Sequence, residues 1–358
     1  MSVYVTTIII SVFFAYTFTH SVFRGREIPK WIVVIITALP SILVTGLRYQ
    51  VGSDYWMYRY AFLNPDNVNV RQNFEILNRL FFKAVAYFEG SYYVAVFIAS
   101  AIFFVLAYVE IFHDSPMTWL STFMLFGMLF FFIYMNAERQ MVAISILLFS
   151  LRFLEKKKYL PFIVCLAIAT CIHRSSLLFI LVLVLFQVDI NFKVIFGLTP
   201  VIFILSAFSG RIINAIAGLL RYENYVQASG LTISFRFILG ILCQLIITVL
   251  ACYVYGLSDS DKNQDKFRLF FNIQVLTLWT YAFSGFISGN EIARIRYMFA
   301  MPGIIFVPMV LKRIPERILK LLFGAAVVAY GILNIYFLIY INNEQQTLPY
   351  QTIFSILN

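Results

Sequence analysis

Long apolar stretches recur along this chain from Val3 to Ile341, and only short polar breaks separate them. Hydrophobic residues make up 61% of the chain and charged residues only 12%, whereas soluble domains carry about 25% charged residues. So few charges cannot keep a protein surface in water, so the solvent around most of the chain must be lipid. We therefore predict a polytopic integral membrane protein of the all-α class, with residues 1–358 forming a single membrane domain.

The apolar stretches are long enough to be counted as membrane spans. A spanning helix needs about 20 predominantly apolar residues, and this rule predicts about twelve helices, within a range of roughly 10 to 13. The runs lie near 2–22, 31–47, 91–110, 117–135, 140–154, 160–172, 175–188, 194–208, 235–256, 269–287, 297–310 and 321–341. His173 and Arg174 stand at the middle of 160–188, so we expect two short helices that meet at a turn there, or one broken helix.

The basic residues between the spans predict the orientation of the chain. One set of loops holds nine lysines, while the other set holds Lys83 alone together with eleven arginines. By the positive-inside rule the lysine-rich loops are cytoplasmic, which places both termini and the arginine-rich loops outside. These outer arginines are Arg48, Arg59, Arg71, Arg79, Arg139, Arg174, Arg211, Arg221, Arg236, Arg294 and Arg296.

Topology accounts for the inner lysines but not for outer arginines with almost no lysine beside them. Arginine binds phosphate and carboxylate through a planar fork and stays charged, so the pattern favours an anion site on the outer face. The alternative is scattered interface anchors and ion pairs with acidic residues of the same face. Those acidic residues are Asp54, Glu75, Glu138 and Glu291.

Two outer loops stand out, near 48–90 and 209–234. In the first, apolar residues recur at helical spacing from Ile76 to Phe88, with Arg79 and Lys83 on the other side, which predicts an amphipathic helix in the outer-leaflet interface. The range 211–221 predicts a second such helix. The pair either roofs a cavity that receives a lipid-linked substrate from the side, or simply connects the spans.

Four outer groups at helix ends carry the candidate chemistry. They are Arg48 with Asp54, Arg139-Gln140 beside Glu138, His173-Arg174, and Arg294 with Arg296. His173 can take a proton from a hydroxyl as a general base, and Asp54 and Glu138 are its rivals for that role. The sequence has no Walker loop and no metal-ligand motif, so we expect no metal and no cofactor. It also has no nucleic-acid-binding motif.

These four groups resemble motifs of a known family, the last of them more weakly. The early outer loop reads Gly46-Leu47-Arg48-Tyr49-Gln50-Val51-Gly52-Ser53-Asp54-Tyr55 and then Tyr58. Arg139-Gln140, Glu155-Lys156-Lys157-Lys158 and Ile172-His173-Arg174-Ser175 follow in order, with a weaker match at Arg294-x-Arg296-Tyr297. Together they resemble the EpsG family, a branch of the Wzy-type O-antigen and exopolysaccharide polymerases.

The resemblance implies a GT-C-like, metal-independent glycosyltransferase in the bacterial cytoplasmic (inner) membrane, working on its extracytoplasmic face. Its substrate would be an undecaprenyl-pyrophosphate-linked oligosaccharide, whose glycan passes to the non-reducing-end hydroxyl of a second lipid-linked repeat. Flippase and chain-length regulator proteins would be its partners, as in exopolysaccharide, capsule or O-antigen biosynthesis.

Carried onto this sequence, the resemblance assigns three kinds of role. The pyrophosphate would be held by Arg48, Arg139, Arg174, Arg294 and Arg296. His173 or Asp54 would activate the hydroxyl, with Arg139 assisting catalysis. The sugar would be contacted by Tyr49, Tyr55, Trp56, Tyr58 and Gln140.

Other functions fit the composition as well. A lipid-linked oligosaccharide flippase would also need many spans, but transporters often show internal repeats, and this sequence shows no clear repeat. Another extracytoplasmic transferase, such as an O-antigen ligase or a membrane acyltransferase, would need a similar outer site. A ligase would share the donor and differ only in the acceptor.

Overall fold

The computed structural model describes residues 1–20, 28–188, 192–219, 235–256, 264–283 and 290–356, and these ranges are helical with no strand. The predicted all-α class is therefore confirmed. The α-helices are α1 Ser2–His20, α2 Lys30–Gly46, α3 Tyr55–Leu63, α4 Val68–Asn73, α5 Ile76–Tyr87, α6 Tyr92–Asp114, α7 Thr118–Gly127, α8 Phe130–Tyr134, α9 Glu138–Glu155, α10 Tyr159–Ile172, α11 Ile180–Phe186, α12 Phe192–Leu219, α13 Phe235–Gly256, α14 Gln264–Phe283, α15 Asn290–Ala300, α16 Gly303–Arg313 and α17 Arg317–Asn334. Turns of 3₁₀-helix occur at Arg174–Phe179 and Ile353–Ile356, and a π-helix at Ile335–Ile341.

Several helices have the length and composition of membrane spans. Among the described residues five are long and apolar enough, namely Ser2–Thr19, Tyr92–Asp114, Phe237–Gly256, Arg294–Arg313 and Arg317–Ile341. Shorter apolar helices lie at Lys30–Gly46, Tyr159–Ile172, Arg174–Phe186 and Lys193–Ser206. These helices are consistent with a membrane protein, while the count of about twelve spans stays a prediction.

The chain forms two compact units. The first comprises Met1–Leu177 and Pro315–Asn358, and the second is Leu178–Ile314. In the first unit α6 contacts α2 and α9, and α9 contacts α10. The ring of Phe103 stacks on that of Tyr134 in its core, with centroids 4.9 Å apart. In the second unit α14 contacts α11, α12, α13, α15 and α16.

The predicted span 117–135 is wrong as a single helix. Helix α7 ends at Gly127, and Leu129 adopts a left-handed φ of 65° before α8 begins. The carbonyl at the end of α7 is satisfied from elsewhere, because Asn334 Nδ2 donates to Gly127 O at 3.1 Å. Gly331 lies on α17, and a Cβ added to Gly127 would lie 2.8 Å from Gly331 Cα. Helices α7 and α17 therefore approach closely only because both residues are glycine.

The second predicted interfacial helix also needs correction. Helix α12 continues without a break from Phe192 to Leu219, so 194–208 and 211–219 belong to one element of 28 residues. No loop begins at 209. Residues 220–234, which include Arg221, lie outside the described residues, as do the side chains of Arg211 and Arg236.

The helix predicted from Ile76 to Phe88 is confirmed as α5, while its place in the outer-leaflet interface stays a prediction. Ile76 and Leu80 are about half exposed, at 54% and 52%, while Phe82 and Val85 are buried. Val85 belongs to the predicted apolar pattern and packs into the core of the first unit. The exposed face also carries Lys83, whose long side chain suits a helix at an interface.

The loop after α2, which the sequence predicts to be an outer loop, is tied to the C-terminal segment. Tyr49 N–H donates to Gln351 O and Ile353 N–H donates to Leu47 O, both at 2.9 Å. Gly52 N–H donates to Gln346 O at 3.0 Å. Gly52 has a φ of 101°, and a Cβ there would lie 2.6 Å from Met135 O, so only glycine fits this turn. These bonds fix the backbone on both sides of Arg48.

The break predicted within 160–188 is confirmed. Helix α10 ends at Ile172, His173 is extended with φ −150° and ψ 111°, and a 3₁₀ turn starts at Arg174. The chain then continues into α11. The irregular backbone places His173 and Arg174 at the end of α10, where their side chains meet residues of the outer loop.

Candidate functional site

Arg48 forms a closed ion pair in the first unit. Its Nη2 donates to Glu138 Oε2 at 2.9 Å and its Nη1 to Thr45 O at 3.2 Å. The side chain of Arg48 is 0% exposed and that of Glu138 is 7% exposed. Asp54, which the sequence grouped with Arg48, bonds to Ser53 instead, and Glu138 is the acid that reaches this guanidinium. The pair connects the segment after α2 to the start of α9 and leaves no open face for a substrate.

A second group of charges gathers around Glu75, and we call Glu75, Arg139, His173 and Arg174 the Glu75 cluster. Arg139 Nη1 donates to Glu75 Oε2 at 2.6 Å. Arg174 N–H donates to Glu75 Oε1 at 3.1 Å, and His173 Nδ1 lies 3.6 Å from that same oxygen. Glu75 stands at the N-cap position of α5, directly after the short helix α4. One carboxylate therefore joins residues that come from three parts of the chain.

The guanidinium of Arg139 is held in a defined orientation. Its Nη1 also donates to Asn73 O at 2.9 Å, and its central carbon lies 3.9 Å from the centroid of the Phe74 ring. Stacking on an aromatic face is favourable for a guanidinium and restricts its rotation. Arg139 is the second residue of α9, so the helix start fixes its backbone. Its N–H donates to Tyr58 Oη at 3.4 Å.

The turn that carries His173 and Arg174 is fixed by side-chain bonds. Asn78 Nδ2 donates to Ile172 O at 2.5 Å and lies 3.4 Å from Glu75 Oε2. Arg174 Nη2 donates to Gln72 O at 3.1 Å. The last carbonyls of a helix have no partner within the helix, and Asn78 supplies one here. Helix α5 thus holds the end of α10 in place.

The Glu75 cluster is open to its surroundings where the Arg48 pair is not. The side chain of Arg174 is 56% exposed, and those of Arg139, Glu75 and His173 are 12%, 10% and 10% exposed. Two guanidinium groups beside an imidazole and a carboxylate provide an anion-binding side and a proton-accepting side within one site. Preorganised cations of this kind can stabilise negative charge that develops on a leaving group.

Three of the five residues predicted to contact sugar are buried. Tyr55 is 1% exposed, Tyr58 3% and Gln140 3%, so their predicted sugar contacts do not fit the structure. The Tyr58 ring packs edge-on against Phe74 at 5.8 Å, and burial raises the pKa of its hydroxyl, which therefore stays neutral. Trp56 is 54% exposed, with the Arg59 guanidinium 5.4 Å from its ring. Tyr49 is half-buried.

The remaining predicted residues are placed elsewhere. Asp54 Oδ1 accepts a bond from its neighbour Ser53 at 3.1 Å. Arg296 belongs to the second unit, where its guanidinium lies 4.5 Å from the Tyr281 ring centroid, and Arg294 precedes it on α15. A joint role of Arg294 and Arg296 with the Glu75 cluster stays a prediction.

Glu75 is the residue whose importance the sequence did not reveal. It was considered only as a partner for scattered ion pairs. The available signal was its position, because an acid directly before an amphipathic helix, within a loop of outer arginines, lies at the positive end of that helix. Its partners Arg139 and His173 are distant in sequence, so only the fold shows that they meet.

One other group of acids and histidine occurs in the described residues, at the C-terminal end of α6. Glu110, His113 and Asp114 could offer three ligand atoms to a metal ion. All three are already engaged, because Arg152 pairs with Glu110 and His113 Nδ1 lies 2.5 Å from Asp114 Oδ1. The positive charge of the Arg152 guanidinium repels a metal cation at this position, so we interpret the group as a structural ion-pair network.

The fold and the cluster define a class of protein: an all-helical membrane protein with an arginine-rich site at helix ends. A comparison with family models identifies the class further. The model of the EpsG family matches residues 31–352, nearly the whole chain, and the protein belongs to that family. EpsG is a Wzy-type polymerase family, and membership supports a polymerase role of the glycosyltransferase type in general. Searches of the curated proteins and of the solved structures found no match.

Proposed function

We propose that this protein polymerises a polysaccharide by joining lipid-linked repeat units at the outer face of the bacterial cytoplasmic membrane. The donor is a glycan on undecaprenyl pyrophosphate, and the acceptor is the non-reducing-end hydroxyl of another lipid-linked unit. The observation that carries the proposal is the Glu75 cluster, which brings together the Arg139 and His173-Arg174 motifs. A GT-C-like arrangement of about twelve spans, oriented with both termini outward, belongs to the same proposal.

In this mechanism Arg139 and Arg174 hold the pyrophosphate. The two bonds that Arg139 makes to Asn73 and Glu75 both come from Nη1, and a guanidinium carries about five N–H donors. Among the described contacts, Arg139 therefore keeps N–H donors that can bind phosphate oxygens. As the bond between the anomeric carbon and the pyrophosphate oxygen breaks, its electron pair leaves with the oxygen. Preorganised guanidinium groups stabilise the charge that develops there.

His173 acts on the acceptor in the same step. The acceptor oxygen bonds to the anomeric carbon, and His173 takes the proton that this oxygen loses. Glu75, 3.6 Å from His173 Nδ1, orients the ring and balances the positive charge that the ring gains. Glu75 thus serves as a positioning residue that links the base to the anion-binding arginines.

The test is a gel of surface glycan from a strain that lacks this gene. We expect single repeat units at the surface and no long chains, with full restoration by the wild-type gene. Absence of any lipid-linked glycan from the outer face would favour a flippase and contradict the proposal. Long chains that remain on the lipid carrier, without transfer to a final acceptor, would favour a ligase.

A further inference from the structure

A cavity of about 210 Å³ lies beside the Glu75 cluster in the first unit. It is lined by residues of α3, α5, α6 and α9 together with the end of α10. Most of its wall is apolar, and this part is formed by Leu77, Phe81, Phe82, Ala99, Ile102 and Val142. Arg139 lines the same cavity, so its apolar space begins at the cation that the proposed mechanism uses.

Apart from Arg139, the polar side chains on the cavity wall are already bonded to protein, and Tyr58 Oη among them accepts the N–H of Arg139. Asn78 donates to Ile172 O, and Glu138 accepts from Arg48. A water molecule in a cavity needs about two to four polar partners, and these groups have little capacity left to provide them. The cavity therefore suits a hydrocarbon better than water, with Arg139 marking the end at which a negative charge would lie.

The cavity extends to an exposed residue of α6. Ile102 lines it and is 39% exposed, and it stands on a helix that is long and apolar enough to cross a membrane. Leu77 and Phe81 on α5 are half-buried at the same site. A chain that enters past Ile102 comes from the lipid and not from the aqueous phase, which is the route open to a molecule anchored in the bilayer.

The volume sets how much of such a chain fits. An apolar cavity of about 150 Å³ holds benzene, so 210 Å³ accommodates roughly eight to ten carbon atoms. We infer that this cavity binds the first isoprene units of the lipid carrier's chain, with the adjoining diphosphate at Arg139. The inference rests on the proposed function, because that function supplies a lipid diphosphate at Arg139. The cavity then fixes the phosphate end of the donor, while the rest of the chain stays in the bilayer.

The inference is tested by binding to the purified full-length protein in detergent. The probes are geranyl diphosphate, decyl diphosphate and inorganic pyrophosphate. Ala99→Phe fills the cavity, and Ile102→Trp obstructs its lipid side as a second variant if the first does not fold. Ile98→Trp is the matched control, because Ile98 is 36% exposed on the same helix and does not line the cavity.

We expect Ala99→Phe and Ile102→Trp to weaken the binding of geranyl diphosphate by about tenfold, since two buried methylene groups are worth that factor. Binding of inorganic pyrophosphate should not change, and Ile98→Trp should match the wild type. Unchanged binding of geranyl diphosphate in both cavity variants would overturn the inference. Equally tight binding of decyl diphosphate and geranyl diphosphate would also overturn it, because the cavity would then bind any alkyl chain and not isoprene units in particular.

These outcomes are separate from failure of the proposed function. If Arg139→Lys abolishes long glycan chains while the cavity variants bind normally, the inference fails alone. If the cavity variants lose geranyl diphosphate while a strain without the gene still makes long chains, the lipid site stands and the polymerase proposal fails.

Discussion

Glu138 and Arg139 are neighbours at the start of α9, and the structure gives them opposite surroundings. Glu138 turns inward to the fully buried Arg48. Arg139 turns to Glu75, in a cluster whose Arg174 side chain is 56% exposed. Successive residues of a helix point about 100° apart, so two adjacent charges can belong to a structural pair and to an accessible site.

The comparison shows that a residue's position within a family motif does not tell whether it has a structural or a chemical role. Arg48 and Arg139 are both motif arginines paired with a glutamate, but only one pair can meet a substrate. Burial decides between them, because a buried guanidinium that lost its acid would be left uncompensated. An accessible one can exchange an acid for a phosphate.

The largest effect is expected from breaking the buried pair. Arg48→Ala leaves Glu138 buried and alone, which costs about 3–5 kcal/mol of unfolding free energy. We expect a sharp fall in the yield of folded protein and in its resistance to unfolding in detergent. Arg71→Ala is the control, because Arg71 is 57% exposed and pairs only at the surface with Asp66. Wild-type stability of Arg48→Ala would show that this pair is not structural.

A smaller and different effect is expected at Glu75. Glu75→Gln keeps the size and one acceptor oxygen, but it removes the charge between His173 and Arg139. We expect a roughly tenfold fall in kcat with little change in KM or in the free energy of unfolding. The reason is that Glu75 acts on His173 mainly in the transfer step, when the ring gains a positive charge. Kinetics of polymerisation with purified protein would measure it. A rise in KM alone would mean that Glu75 serves binding and not the transfer step.

A modest effect is expected from Tyr58→Phe, which removes the hydroxyl that accepts the N–H of Arg139 at 3.4 Å. A neutral hydrogen bond contributes about 0.5–1.5 kcal/mol, and one this long lies at the low end. We expect a small loss of stability and nearly normal polymerisation. A large loss of activity in a stable Tyr58→Phe protein would mean that the hydroxyl takes part in the chemistry.

The smallest effect is expected at the exposed edge of the outer loop. Bonds from Lys83 and Arg71 lower the pKa of Asp66. A lowered folded-state pKa stabilises the protein above the ordinary carboxyl pKa, and this contribution is lost as pH falls. Asp66→Asn should therefore differ from wild type only slightly at neutral pH, and not at all in acid. Unfolding curves of wild type and Asp66→Asn at neutral and acid pH would measure this. A difference in stability that persists in acid would contradict the expectation.

The sequence predicted those features that depend on local pattern. Apolar runs gave most helices, and two polar residues in the apolar run 160–188 gave the break at His173. Features set by distant contacts were missed. The break after Gly127 depends on Asn334 and Gly331, and the burial of Tyr55 and Tyr58 depends on α5 and α6. The Glu75 cluster is the clearest case, since no local pattern states which acid meets Arg139.

The most direct test of the account is glycan length in strains that carry Arg139→Lys or Arg71→Lys in place of the wild-type gene. Lysine keeps the charge but loses the fork that binds phosphate. With equal amounts of each protein in the membrane, we expect Arg139→Lys to yield single repeat units and Arg71→Lys to yield long chains. Long chains of normal abundance from Arg139→Lys would contradict the assignment of polymerisation to the Glu75 cluster.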